Sequence, residues 1–79
     1  MKVFYISLCR GLSGYYVKVT AKSEDVVRRY ATRYYGQLWC NIYTDAYFHE
    51  VVRKRYPTSS KVINNRAPVE LTDDEGMYE

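Results

Sequence analysis

Ten tyrosines, Trp39, Phe4 and Phe48 crowd a chain of 79 residues. Tyrosine supplies rigid, amphipathic contact area at low entropic cost, so some of these rings are expected at the surface, stacking nucleic-acid bases or anchoring a protein interface. Two basic clusters accompany them: Arg28, Arg29 and Arg33, and then Arg53, Lys54 and Arg55. Such clusters bind phosphates by releasing counterions or simply form solvated faces, and neither a ribonucleoprotein strand motif nor a zinc-finger spacing frames them here. The C-terminal run around Asp73, Asp74 and Glu75 offers Leu71, Met77 and Tyr78 as anchors. It could occupy a basic DNA-binding groove on a partner, fold back on the chain's own positive body, or keep the chain soluble.

Catalytic and metal-binding chemistry is poorly provided for. The soft ligands are Cys9, Cys40 and His49, far apart and in no zinc or redox spacing, so no metal site is expected and the cysteines read as buried, reduced thiols. His49 stands beside Glu50, and a Ser or Cys nucleophile would have to meet it in a cleft that so small a fold can hardly enclose, so it reads as an exposed helical residue. Gly11, Gly14, Gly36 and Gly76 open no phosphate-cradling helix. The expectation is a non-enzymatic chain without a cofactor.

The supporting frame must be small. A chain this short makes one domain and buries only about 60% of its unfolded surface. The net charge of +3 conceals two blocks: residues 1–69 hold all 12 basic residues and four acidic ones, +8, while residues 70–79 carry five acidic residues and no basic one, −5. The longest apolar run, Val3-Phe4-Tyr5-Ile6, is far below the roughly 18 residues of a membrane span, and the amino terminus lacks a signal-peptide pattern, so a cytoplasmic protein is expected.

Residues Lys2 to Cys9 alternate, with Phe4, Ile6 and Leu8 on one face and Val3, Tyr5, Ser7 and Cys9 on the other. A turn over residues 10–14 leads to a second strand, Tyr15 to Ala21, and an antiparallel hairpin follows. Ser23 is placed to cap a helix over Glu24 to Tyr35 that buries Val26, Val27, Tyr30, Ala31, Tyr34 and Tyr35, and Gly36 is placed to end it. Leu38, Cys40 and Ile42 alternate with Trp39, Asn41 and Tyr43 as a third strand. Thr44 or Asp45 can cap a second helix through Phe48, Val51, Val52 and Tyr56, stopped by Pro57, although residues 44–56 also fit a strand. A short strand over Ser60 to Asn64 completes a ββαβαβ order in residues 1–64, while residues 65–79 are expected to be flexible. The fold class is α+β: a small antiparallel or mixed sheet with one or two helices packed on it.

If the helices share one sheet face, the other presents Tyr5, Tyr16, Trp39 and Tyr43 beside Lys18 as an aromatic platform. The alternative is that a helix, the C-terminal segment or a second copy of the chain covers it.

The opening strand Met1 to Ile6, the hairpin into Val17-Lys18-Val19-Thr20-Ala21-Lys22-Ser23, the helix Glu24 to Gly36 and the strand Leu38-Trp39-Cys40-Asn41-Ile42-Tyr43 resemble small phage and mobile-element proteins. In particular, residues 1–64 look like an anti-CRISPR protein directed at a type I surveillance complex. The resemblance lies in size and architecture rather than a motif. It implies an inhibitor that binds an effector subunit in the bacterial cytoplasm and blocks target-DNA binding or nuclease recruitment. Tyr5, Tyr16, Trp39, Tyr43 and the tail residues Asp73, Asp74 and Glu75 are then the expected partner-binding set. Many such proteins are acidic DNA mimics, whereas this body is basic. The competing expectation is a nucleic-acid-binding module or phage regulator that uses Arg28, Arg29, Arg33, Arg53, Lys54 and Arg55.

Overall fold

The computed structural model describes residues 1–57, 60–64 and 67–71. Strand β1 (Lys2–Leu8) and strand β2 (Tyr15–Ala21) pair antiparallel, from Lys2 opposite Ala21 to Ser7 opposite Tyr16. Helix α1 (Glu24–Tyr35) follows, then a 3-10 turn (Gly36–Leu38) and strand β3 (Trp39–Thr44), antiparallel to β1. A second helical segment, α2, runs through residues 45–55. It is made of an α-turn (Asp45–Tyr47), a π-helical stretch (Phe48–Val52) and a last α-turn (Arg53–Arg55). Strands β4 (Lys61–Val62) and β5 (Val69–Glu70) both run parallel to β2. The sheet order is β3-β1-β2-β4, with β5 also on β2, so the expected α+β class with a mixed sheet and two helices holds.

Helix α1 forms where the expected spacing places it. Ser23 occupies the N-cap position in an extended conformation, but its hydroxyl makes no capping bond; Glu24 and Asp25 supply negative charge at the positive end of the dipole. Gly36 ends the helix at φ 55° and ψ −117°, its N–H donating to the Thr32 carbonyl. That backbone region suits glycine alone, and a Cβ there would meet no atom within 4 Å, so a substitution costs conformational strain rather than a clash. The buried stripe is Val26, Val27 and Ala31, packed on Phe4, Ile6, Leu8, Val17, Val19 and Ala21, with Tyr30 and Tyr35 at its margin. Tyr34, expected in the stripe, is 54% exposed.

Helix α2 crosses the opposite face of the sheet. Thr44 caps it by accepting from the Tyr47 N–H at 3.2 Å. Phe48 and Val52 pack onto Tyr5 and Tyr16, with Val3, Tyr43 and Val62 around them. Both faces of β1 are therefore covered, and its residues are buried without interruption from Phe4 to Leu8. That is the pattern of a central strand between two layers rather than of a half-solvated one. Val51 and Tyr56, expected inside, are exposed.

The sheet edge along β2 is built around a side chain. Asn64 stands opposite Lys18 and accepts its backbone N–H at 2.7 Å through Oδ1 while donating Nδ2–H to its carbonyl at 2.8 Å. The carboxamide thus replaces a peptide group between β4, where Ile63 N–H donates to the Tyr16 carbonyl, and β5, where Leu71 N–H donates to the Thr20 carbonyl. Ordered sheet therefore continues past the expected limit at residue 64, and Leu71 is buried in the first core at 1% exposure. The alternation of Val69 and Leu71 around Glu70 was the available signal, outweighed in the sequence by Pro68 and the acidic run.

Replacing Asn64 by alanine orphans both Lys18 backbone groups and should lower stability by about 1–3 kcal/mol. The measurement is a urea midpoint, which should fall at constant slope; an unchanged midpoint would mean that water substitutes for the carboxamide.

Candidate docking edge

The expected aromatic platform is not a surface. Tyr5 is 1% exposed and Tyr16 7%. The Phe48 ring stacks on Tyr5 with centroids 4.0 Å apart at 11°, and meets Tyr16 edge-on at 4.9 Å and 71°. Helix α2 is thus what covers this face. Trp39 leaves the set altogether, because the β1–β3 register shifts between Ser7 and Leu8. Ser7 faces Asn41 whereas Leu8 faces Trp39, so Cys40 is an extra residue, and the bulge turns the indole to the α1 side, against the first core. Tyr43 stays on the α2 side, half-buried. Asp73, Asp74 and Glu75 lie outside the described residues.

The basic residues do not converge. Arg28 is held by Glu24 at 2.7 Å one turn back, and Arg33 lies over the neighbouring Tyr34 ring at 5.4 Å; with Arg29 they belong to α1. Arg53, Lys54 and Arg55 occupy the last turn of α2 and are exposed, with the Arg53 guanidinium 5.9 Å from the Phe48 ring centre. The two clusters therefore lie on helices covering opposite faces of the sheet, and no single groove gathers them.

One polar group links sheet to helix. The Tyr5 hydroxyl lies 3.2 Å from His49 Nε2, which is also 3.2 Å from Asp45 Oδ1. Burial first, and Asp45 second, push the Tyr5 phenol up to about 12. A phenol so reluctant to ionise is a poor acid–base catalyst near neutrality, and the contact serves to satisfy a buried hydroxyl. Among the described residues no group of three or more His, Cys, Asp or Glu side chains is placed to hold a metal ion, and no helix is long and apolar enough to cross a membrane.

What stays open is the outer edge of β3. The strand pairs with β1 on one side, and among the described residues no strand pairs with it on the other. Its sequence, Trp39-Cys40-Asn41-Ile42-Tyr43-Thr44, holds no charge and no proline, two of the devices that blunt an edge, and the bulge at Cys40 interrupts only its first end. Beside it Ile42, Tyr43, Thr44 and Tyr47 line a shallow, mainly apolar groove of about 270 Å³. This lies below the usual size of a small-molecule site and suits one inserted side chain. The Tyr43 and Tyr47 rings stack at 5.3 Å and 11° along the groove, and Tyr47 is half-exposed. Burial, then the neighbouring Tyr16, Cys40 and Tyr47, raise the Tyr43 phenol, so the groove wall is uncharged at physiological pH. Of the four aromatics expected to bind a partner, Tyr43 alone belongs to this feature. Tyr47 was not among them, although it stands four residues beyond Tyr43 at the strand-to-helix junction. Comparison with known protein families, curated proteins and solved structures returns no match.

Because the folded-state value of Tyr5 is raised, its contribution to stability is complete below its ordinary value of 10.0 and is lost as pH climbs from there toward about 12. Urea stability measured across that interval should fall more steeply for the wild type than for Tyr5→Phe. Parallel profiles would contradict the burial of this hydroxyl.

Proposed function

We propose that this chain is a non-enzymatic inhibitor that binds a subunit of a type I CRISPR surveillance complex, docking an extended segment of that subunit along the outer edge of β3. Target-DNA binding or nuclease recruitment is thereby blocked in the bacterial cytoplasm. The target class rests on the likeness of residues 1–64 to anti-CRISPR proteins. The docking mode rests on one observation, the uncharged edge, unpaired among the described residues, with a side-chain-sized groove beside it. Strand addition draws affinity from main-chain hydrogen bonds and specificity from pockets for alternate side chains, and the stacked Tyr43 and Tyr47 supply the kind of aromatic anchor that dominates interfaces. The basic residues contribute orientation and association rate.

A second reading has its own support in Arg53, Lys54 and Arg55, which stand exposed together on the last turn of α2. In that reading the chain binds nucleic acid directly, with a strong dependence on salt.

The two separate in a mobility-shift assay of labelled target DNA with a purified type I complex. Asn41→Lys, at an exposed edge position that caps no helix, places charge on the β3 edge and should weaken inhibition at least about tenfold, roughly 1.4 kcal/mol, with little change in Tm. Full inhibition by this variant would remove the edge from the site. A shift produced by the protein without the complex, and abolished by reversing Arg53, Lys54 and Arg55 to glutamate, would establish the second reading instead.

A further inference from the structure

The bulge that displaces Trp39 also brings the two cysteines together. Cys9 follows β1 directly, and its N–H donates to the Leu38 carbonyl at 2.7 Å, fixing it against the turn that leads into β3. Cys40 is the extra residue of the bulge, and its Sγ lies 3.5 Å from Ser7 Oγ, 3.6 Å from the Ser7 carbonyl and 4.0 Å from that of Leu8. The Cys9 Sγ lies 3.6 Å from the Gln37 carbonyl. Each thiol is thus tied to the strand or turn carrying the other, Cys40 to the end of β1 that leads into Cys9 and Cys9 to the turn that leads into β3. Both are free; Cys9 is half-buried and Cys40 exposed. They are not the pair of buried thiols that the sequence suggests.

We propose that Cys9 and Cys40 form a redox-active dithiol that reduces low-molecular-weight disulfides of the glutathione class and closes into a reversible disulfide between β1 and β3. Cys40, the accessible thiol, loses its proton and attacks one sulfur of the small disulfide. The S–S bond breaks, and one glutathione leaves as a thiolate that takes up a proton. Cys9 then loses its proton and attacks the Cys40 sulfur, the mixed disulfide breaks, and the second glutathione leaves in the same way. Two protein thiols are oxidised and one small disulfide is reduced to two thiols. Burial and the neighbouring Cys40 raise the Cys9 thiol, in keeping with its place as the resolving group. The chemistry involves neither a cofactor nor a partner protein and stands independently of the docking proposal.

The test uses the full chain incubated with oxidised glutathione, quenched by alkylation and weighed by mass spectrometry. The wild type should become a monomer lighter by two hydrogen atoms, inert to the alkylating agent. Cys9→Ser, lacking the resolving thiol, should instead retain one glutathione on Cys40. The oxidised wild type closes a loop of about 30 residues and should melt roughly 10–20 °C higher than the reduced form. A wild type that keeps a glutathione adduct, forms disulfide-linked dimers, or remains fully alkylatable would overturn the proposal.

Discussion

The packing of Phe48, stacked on Tyr5 and edge-on to Tyr16, is the contact on which this molecule turns. A chain of 79 residues has little apolar material, and α1 with one sheet face uses most of the aliphatic side chains. The second core has only Val52 and three aromatic rings at its centre. An aromatic pair adds about 0.5–1.5 kcal/mol beyond the area it buries, so these rings are an effective way to close a layer with few residues. They also bring hydroxyls inside. The Tyr5 hydroxyl meets His49 and Asp45, which stand one helical turn apart on α2. The helix that packs the layer thus also supplies the polar partner that packing makes necessary.

Closing that layer determines what the protein can offer a partner. With a helix over each face, the sheet presents edges rather than a platform, and the edge along β2 is occupied by β4, the Asn64 carboxamide and β5. Among the described residues the outer edge of β3 is left unpaired. The bulge at Cys40 disrupts pairing at one end of that strand, while residues 41–44 stay regular and uncharged. Tyr43 and Tyr47 then flank the regular part. Among the described residues the cations lie on both sides of the sheet and form no one continuous phosphate track.

Much of this architecture is legible in local patterns. The hairpin follows from alternation in Lys2 to Cys9 and Tyr15 to Ala21, and α1 from the spacing of Val26, Val27 and Ala31 with Gly36 behind them. Long-range choices are not legible in the same way. The i, i+4 pair Phe48 and Val52 predicts a buried helical stripe without saying which face of the sheet it meets, and tyrosines fit a solvated or a covered face equally well. Strict alternation places Trp39 beside Tyr43, and only the pairing of Leu8 with Trp39 reveals the extra residue at Cys40. Asn64 reads as a turn residue, because a carboxamide standing in for a peptide group is defined by Lys18, 46 positions away. The proximity of Cys9 and Cys40 has the same origin in the bulge.

In the proposed docking mode, a partner meets the open edge of β3 while the tyrosine face stays covered by α2. Hydrogen–deuterium exchange followed by mass spectrometry on the chain alone and bound to a purified type I surveillance complex addresses it directly. Peptides spanning residues 39–47 should gain protection on binding while those of β2 and α1 exchange as before. Protection confined to the last turn of α2, or faster exchange in residues 48–52 as the helix lifts to expose Tyr5 and Tyr16, would contradict it.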